Sequence, residues 1–176
     1  MLFSFAFVVL SFVVQTASLN PKEVISIPDK VLTEANLLLN TNSWQTYNSN
    51  GIIFKYPNGW VIDEKSTKLG PKMGEHVFIS RGKGAKNCIA LFVQPKMLPG
   101  EWIKKIYSPN FLEQAESLSL ITLDNKQTTK VVNLPISVKN EFVFTTIKDK
   151  TFVLVGQGTE EDIQILDNLL RTVKFN

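Results

Sequence analysis

The chain has a single cysteine, Cys88, and a single histidine, His76. Lone Cys88 excludes an internal disulfide, so stability has to come from packing whatever the redox compartment. One histidine, with no cysteine close to it, is poor material for a metal site. A serine hydrolase would have to work through His76 with a serine and a carboxylate recruited from elsewhere, and no Gly-x-Ser-x-Gly elbow is present. Arginine is equally scarce: only Arg81 and Arg171 stand among 19 basic residues, which leaves little for bidentate phosphate recognition. The net charge of +3 is a mild excess and does not suggest a nucleic-acid partner. The run Gly-Lys-Gly-Ala-Lys-Asn, residues 82–87, lacks the spacing of a phosphate-binding loop. The densest acidic spots, Asp124-Asn125 and Glu160-Glu161-Asp162, lack the alternating ligands of a calcium loop. No catalytic residue, cofactor or metal ligand is expected on these grounds.

What is present is an ordinary globular composition, 44% apolar and 20% charged in 176 residues, which fits one domain. Residues 1–18 carry no charge and are apolar from Leu2 to Val14 except at Ser4 and Ser11. Such a segment, followed by Thr16, Ala17 and Ser18, is expected to be a secretory signal peptide or an N-terminal membrane anchor. The basic residues that usually precede a signal's apolar run are missing. Residues 19–43, broken by Pro21 and Pro28, form a connector whose part from Asp29 to Asn40 has the apolar spacing of a short helix.

The working domain is expected over 44–176. Two short strands meet at Asn50-Gly51, a pair that tolerates positive φ and marks a hairpin. In the second strand Ile52, Phe54 and Tyr56 share one face. Pro57-Asn58-Gly59 then turns the chain, with Pro57 expected at the turn's second position, and Trp60 is expected to plug the next strand into the core. The run Cys88–Gln94 is apolar on both faces, as in a central strand covered on both sides. Helical spacing is expected from Gly100 to Tyr107, and again beyond Ser108-Pro109 through Phe111, Leu112, Ala115 and Leu118. Two further hairpins turn at Asp124-Asn125-Lys126 and at Lys148-Asp149-Lys150. Thr159 caps a last helix, complemented by Glu160, Glu161 and Asp162, with Ile163, Leu166, Leu169, Leu170 and Val173 as its inner stripe. Sequential hairpins with helices on both sides give an α+β fold, a three-layer α/β/α sandwich with a mainly antiparallel central sheet.

The run from Trp44 to Trp60, "WQTYNSNGIIFKYPNGW", resembles the opening of PsbP-like proteins, which reads approximately as glycine, hydrophobic residues, then Phe-x-Tyr-Pro-x-x-Trp. The later segment Leu123–Val132 and the closing "LLRTVKF" resemble that family's turn-and-strand and its helix-to-strand end. The resemblance covers Trp44 to Phe175. It implies the fold that the family shares with a nuclear-import factor that binds the Ran GTPase. It also implies export, since plant and cyanobacterial members are lumenal subunits on the oxygen-evolving side of photosystem II and many bacterial members are exported or membrane-tethered. No photosystem contact residue maps onto this sequence, and no Ser- and Arg-rich transit peptide is recognisable.

Beside the resemblance stand a few residues with chemistry of their own. His76 at a strand start is a candidate base or metal ligand; a half-buried strand-end histidine is the plainer account. Cys88 near Lys83 and Lys86 is a candidate thiolate, against a small buried hydrophobe. Lys65, Lys68, Lys72, Arg81, Lys83 and Lys86 fall within 22 residues and make a candidate interaction patch for an anionic lipid surface or an acidic partner. Trp44, Tyr47, Tyr56, Trp60 and Trp102 can line a ligand groove or fill the core. The function expected is an exported or tethered, non-catalytic interaction or accessory module with an unknown protein partner or membrane complex. The alternatives are a small-ligand or lipid-binding module built on the inter-layer aromatics, and a small hydrolase using His76.

Overall fold

Residues 41–64, 75–82 and 88–176 are described in the computed structural model of the chain, Glu75 and Cys88 by their backbones alone. The apolar segment 1–18, the connector up to residue 40, and Lys65, Lys68, Lys72, Lys83 and Lys86 lie outside the described residues.

Strands β1 (Gln45–Ser49) and β2 (Ile52–Tyr56) form the expected hairpin. Asn50 and Gly51 have φ of 56° and 84°, the pair of left-handed residues that a two-residue loop requires. Ile52, Phe54 and Tyr56 are all buried. Trp60 N–H then donates to Pro57 O at 3.2 Å, closing a turn in which Gly59 takes φ +80°. Pro57 is therefore the first residue of that turn, one place earlier than expected. The next strand, β3 (Val61–Asp63), does not continue the hairpin. The hairpin pairs with β10 (Lys174–Phe175) in a three-stranded sheet ordered β1-β2-β10, while β3 opens a separate seven-stranded sheet. The Pro-Asn-Gly turn is thus the point at which the chain changes sheets.

Trp60 is not the core plug the sequence suggests. It is half-buried at the rim of the core, and the Arg81 guanidinium lies over its ring at 5.8 Å. A residue at the crossing point between two sheets has a neighbour on one side only.

The seven-stranded sheet runs β3-β4-β5-β9-β8-β7-β6, with β4 (Glu75–Ser80), β5 (Cys88–Pro95), β6 (Ser117–Leu123), β7 (Lys126–Val132), β8 (Lys139–Ile147) and β9 (Lys150–Gly158). Every neighbouring pair is antiparallel. The hairpin turns hold as expected: Asp124 and Asn125 have φ of 45° and 60°, and Lys148 has φ of 54°. Among the described residues two α-helices complete the regular structure, α1 (Pro99–Ile106) and α2 (Glu160–Leu170).

The helix expected beyond Ser108-Pro109 does not form. Only one 3-10 turn, Leu112–Gln114, appears there; Ala115 is extended and β6 begins at Ser117. Leu118, assigned to the helix stripe, lies on the strand and is 55% exposed. Phe111, Leu112 and Ala115 do bury their apolar sides, but in an irregular segment packed on the sheet. Four apolar residues over so short a stretch are too few to specify a period.

The sheet alternates as a pleated surface must. On one face Val77, Ile79, Ile89, Leu91, Val93, Val143, Phe152 and Leu154 join the hairpin residues Tyr47, Phe54 and Tyr56 and the α2 stripe. On the other, Ala90, Phe92, Val131, Phe142, Phe144, Val153 and Val155 join Trp102 and Ile103 of α1. β5 is buried on both faces, as its sequence predicts. The architecture is the expected α+β sandwich, a mainly antiparallel central sheet between helix-bearing layers, with the small sheet added to the α2 layer.

Candidate functional site

Among the described residues, a cluster of charge built on buried Glu141 lies between β7, β8 and α2. Lys130 Nζ sits 2.7 Å from Glu141 Oε2 and 2.9 Å from Asp167 Oδ1. Strand alternation turns Glu141 to the same face as Val143, beneath α2, where it is 7% exposed. Lys130 enters from the neighbouring strand and Asp167 descends from the helix, so the ion pairs tie two strands to α2. Burial raises the Glu141 pKa above the usual carboxylate range, and the Lys130 hydrogen bond offsets this only in part. Burial also works against the Lys130 ammonium, but the hydrogen bonds and charges of Glu141 and Asp167 outweigh it, and its pKa is raised.

A nucleophilic or basic lysine needs a depressed pKa, and Lys130 is held cationic instead. The cluster therefore fastens the helix to the sheet. Next to it, Ile121, Leu123, Asp124, Leu170, Arg171 and Val173 complete the walls of an open cleft of about 360 Å³. Its lining mixes apolar side chains with Asp124, Arg171 and the paired Lys130 and Asp167.

Those of the residues singled out from the sequence that lie among the described residues do not form one site. Arg81 is the one member of the candidate basic patch among the described residues, and its charge is met by Glu161 at 3.0 Å and Asp162 at 3.3 Å. His76 lies on β4 opposite Phe92, with ring contacts to Phe78 at 5.6 Å and Phe92 at 6.0 Å. No group of three His, Cys, Asp or Glu suited to a metal ion occurs among the described residues. Cys88 opens β5 opposite Ser80 and Gln157. The five aromatics weighed as groove-lining or core-filling are divided by the sheet. Tyr47 and Tyr56 fill the core on the α2 side, Trp44 and Trp60 lie at its rim, and Trp102 fills the opposite core.

The acidic spots serve local structure, as their sequence context predicts. Thr159 N–H donates to Asp162 Oδ2 at 2.8 Å and Asp162 N–H donates to Thr159 Oγ1 at 3.4 Å, a complete capping box. Asp124 Oδ2 accepts from Phe175 N–H at 2.9 Å, which fastens the small sheet to the β6–β7 turn.

Sequence reasoning passed over Lys130, Glu141 and Asp167. The available signal was a charge inside each of two otherwise uncharged strand stretches, Thr128–Val132 and Asn140–Ile147. Charges are almost never buried unless paired, so two of opposite sign in neighbouring strands imply a pairing.

These layers and connections define an α+β domain of PsbP-like fold. Among solved structures, the chain is similar to the solution structure of cyanobacterial PsbP (CyanoP) from Synechocystis sp. PCC 6803, with a TM-score of 0.55 and 14% identity over 75% of this chain and 92% of that one. A crystal structure from Bacteroides thetaiotaomicron aligns with a TM-score of 0.44 and 10% identity over 76% of this chain, which spans about half of it (48%). No family model and no curated protein matches the sequence.

Proposed function

We propose that the chain is an exported or membrane-tethered, non-catalytic accessory domain that acts by binding a protein partner in or beside a membrane complex. In this proposal residues 1–18 are the signal or anchor, 19–43 the connector and 44–176 the working domain. The observation that carries it is the employment of the ionisable groups. Lys130, Glu141 and Asp167 pair with one another, Arg81 pairs with the start of α2, Asp162 caps that helix and Asp124 ties down the small sheet. These groups hold layers together, which suits a rigid platform that presents a surface. The PsbP-like fold and the apolar segment 1–18 support the placement outside the cytoplasm. Lys65, Lys68, Lys72, Lys83 and Lys86, beside Arg81, supply the proposed contact with an acidic partner or anionic lipid.

The test is to express the full chain in a host able to export it, determine its N-terminus, and purify it by affinity from the membrane fraction after cross-linking. The expected outcome is cleavage near residue 18 or membrane retention, together with a partner lost in the Lys83→Glu/Lys86→Glu variant. Recovery of the uncleaved chain from the cytosol would overturn the export proposal. An esterase or amidase turnover abolished by His76→Ala would overturn the non-catalytic one.

A further inference from the structure

The two edges of the seven-stranded sheet are finished differently. One edge, β3, is three residues long and ends in exposed Asp63 and Glu64. Shortness and charge are the usual means by which a sheet edge is kept from pairing. The other edge, β6, has neither. It is seven residues long, Ser-Leu-Ser-Leu-Ile-Thr-Leu, without a charge or a proline. Among the described residues no strand pairs with its outer side. Leu118 and Leu120 stand out from one face of it at 55% and 63% exposure.

The hairpin fixes which backbone groups are open. In a two-residue loop the flanking pair, here Leu123 and Lys126, is the hydrogen-bonded one, and the pattern alternates from there. Ser117, Ser119, Ile121 and Leu123 therefore turn their N–H and C=O groups to β7, and Leu118, Leu120 and Thr122 turn theirs outward. The two exposed leucines, Leu118 and Leu120, are thus among the residues with open edge backbone.

We infer that β6 is a homotypic interface, on which a second copy of this chain adds its own β6 in antiparallel register about Ser119. The segment Leu118-Ser119-Leu120 reads the same in both directions, so this register sets Leu118 against the partner's Leu120, and the two-fold axis repeats that pair. Glu116 falls opposite Thr122, and no charge meets a like charge. A register centred on Leu120 is disfavoured, because it sets Glu116 against Asp124 on both sides. Like charges directly opposite are destabilising, whereas apolar cross-strand pairs stabilise. The contact uses the same patch on both copies and leaves only the short, acidic β3 edge of each seven-stranded sheet outside, so pairing through that sheet closes at two. Pairing along one strand lies at the low end of interface sizes, so the dimer is weak and forms with concentration. The inference stands whether or not the chain is exported.

The test is sedimentation velocity on the full chain across a concentration series, alongside Leu118→Lys/Leu120→Lys and Leu118→Glu/Leu120→Glu variants. Both positions are exposed, and circular dichroism checks that the variants stay folded. The native chain should move from monomer to dimer as concentration rises. Each double variant alone should self-associate more weakly by about tenfold or more, because like charges then face one another. An equimolar mixture of the two should restore the dimer. A Ser119→Cys variant should give an oxidised dimer whose bridge maps to position 119 on both copies. A native chain that stays monomeric and a Ser119→Cys variant that forms no such bridge would overturn the inference. So would self-association that the Lys/Lys variant leaves intact, or occupation of β6 by a different protein.

Discussion

The central sheet is covered by different means on its two faces. On the α2 face an 11-residue helix with a complete capping box lays an aliphatic stripe, Ile165, Leu166, Leu169 and Leu170, against the strands. On the α1 face the regular cover is an eight-residue helix, followed by a segment with a single 3-10 turn. An isolated helix of that length is marginal, and the difference is made up by ring size. Trp102 lies with ring centroids 5.4 Å from Phe92, 5.7 Å from Phe144 and 6.0 Å from Phe142, and Tyr107 stacks on Phe111 at 5.9 Å. Large side chains bury much area for few ordered residues. The comparison teaches that a layer of this sandwich can be held by secondary structure or by aromatic packing.

The most direct way to break the comparison is to remove the aromatic centre. Trp102 is 1% exposed, and Trp102→Ala should cost about 3–5 kcal/mol in chemical denaturation, as large aromatic truncations do. The loss should be felt first on the α1 face, as early hydrogen exchange from Trp102 to Phe111 while α2 stays protected. A cost below about 1 kcal/mol would mean that the irregular segment holds the face without Trp102.

The α2 face depends instead on close approach. A Cβ added at Gly156 would lie 2.8 Å from Leu166 Cδ2 and 3.1 Å from Leu166 Cβ. The Cδ2 can rotate away, but the Cβ moves only with the helix. Gly156→Ala should therefore cost about 1–3 kcal/mol, the usual range for overpacking. Leu166→Ala in the same background should recover part of that loss, since it frees Cδ2. An additive double variant would show that helix and strand do not press on one another.

The buried ion pairs give a pH-dependent contrast, because they lie on the α2 face alone. The folded pKa of Glu141 is above its unfolded value. Ionising it then costs the folded chain more than the unfolded one, and its contribution to stability falls as pH rises through that window. Lys130 is also raised, so its contribution is present below the ordinary lysine value and is lost as pH climbs past the raised one. Glu141→Gln should flatten the acid-side change that begins at the ordinary glutamate pKa and extends above it. The alkaline limb should persist through the Lys130–Asp167 pair. Parallel stability curves for the native and variant chains over that acid window would contradict this account.

The same contrast explains what was legible in the sequence. The α2 face was readable because its signals are local. The Thr159 box, the stripe through Leu166, Leu169 and Leu170 and the Asn50-Gly51 loop each specify their structure within a few residues, although Val173 joins the core from beyond the end of α2. The α1 face was misread at Pro109–Leu118, where apolar spacing over one turn stood in for a helix and the segment's shape is set by rings from β5 and β8. The sheet switch after Tyr56 was hidden for a related reason: a Pro-Asn-Gly turn says that the chain reverses, but not which sheet it joins next. Trp60 was misplaced for that reason. The charged cluster was missed because Lys130, Glu141 and Asp167 meet only across three elements, and spacing along the chain does not encode that. Of the candidate patch, Arg81 alone lies among the described residues, and its ion pairs were legible only once α2 was set beside β4.

The smallest effect is expected where the two helices begin, and there the comparison can be narrowed. α2 starts with a reciprocal box, whereas α1 has half of one. Leu98 N–H donates to Glu101 Oε2 at 2.7 Å, but leucine has no oxygen with which to accept in return. Leu98 already has the extended backbone of a cap residue, with φ −76° and ψ 153°, and Pro99 follows at the first helical position. Its side chain is 68% exposed, so little packing is lost by replacing it. Leu98→Ser supplies the missing acceptor for the N–H of Gly100 or Glu101 and should stabilise the chain by about 0.5–1 kcal/mol. That corresponds to a rise of about 1–4 °C in Tm for a chain of this size. Glu101→Ala should remove most of that gain, because a box works only with both partners in place. If Leu98→Ser left Tm unchanged with Glu101 present, the α1 face would be limited by its rings alone, and the way α1 begins would be immaterial.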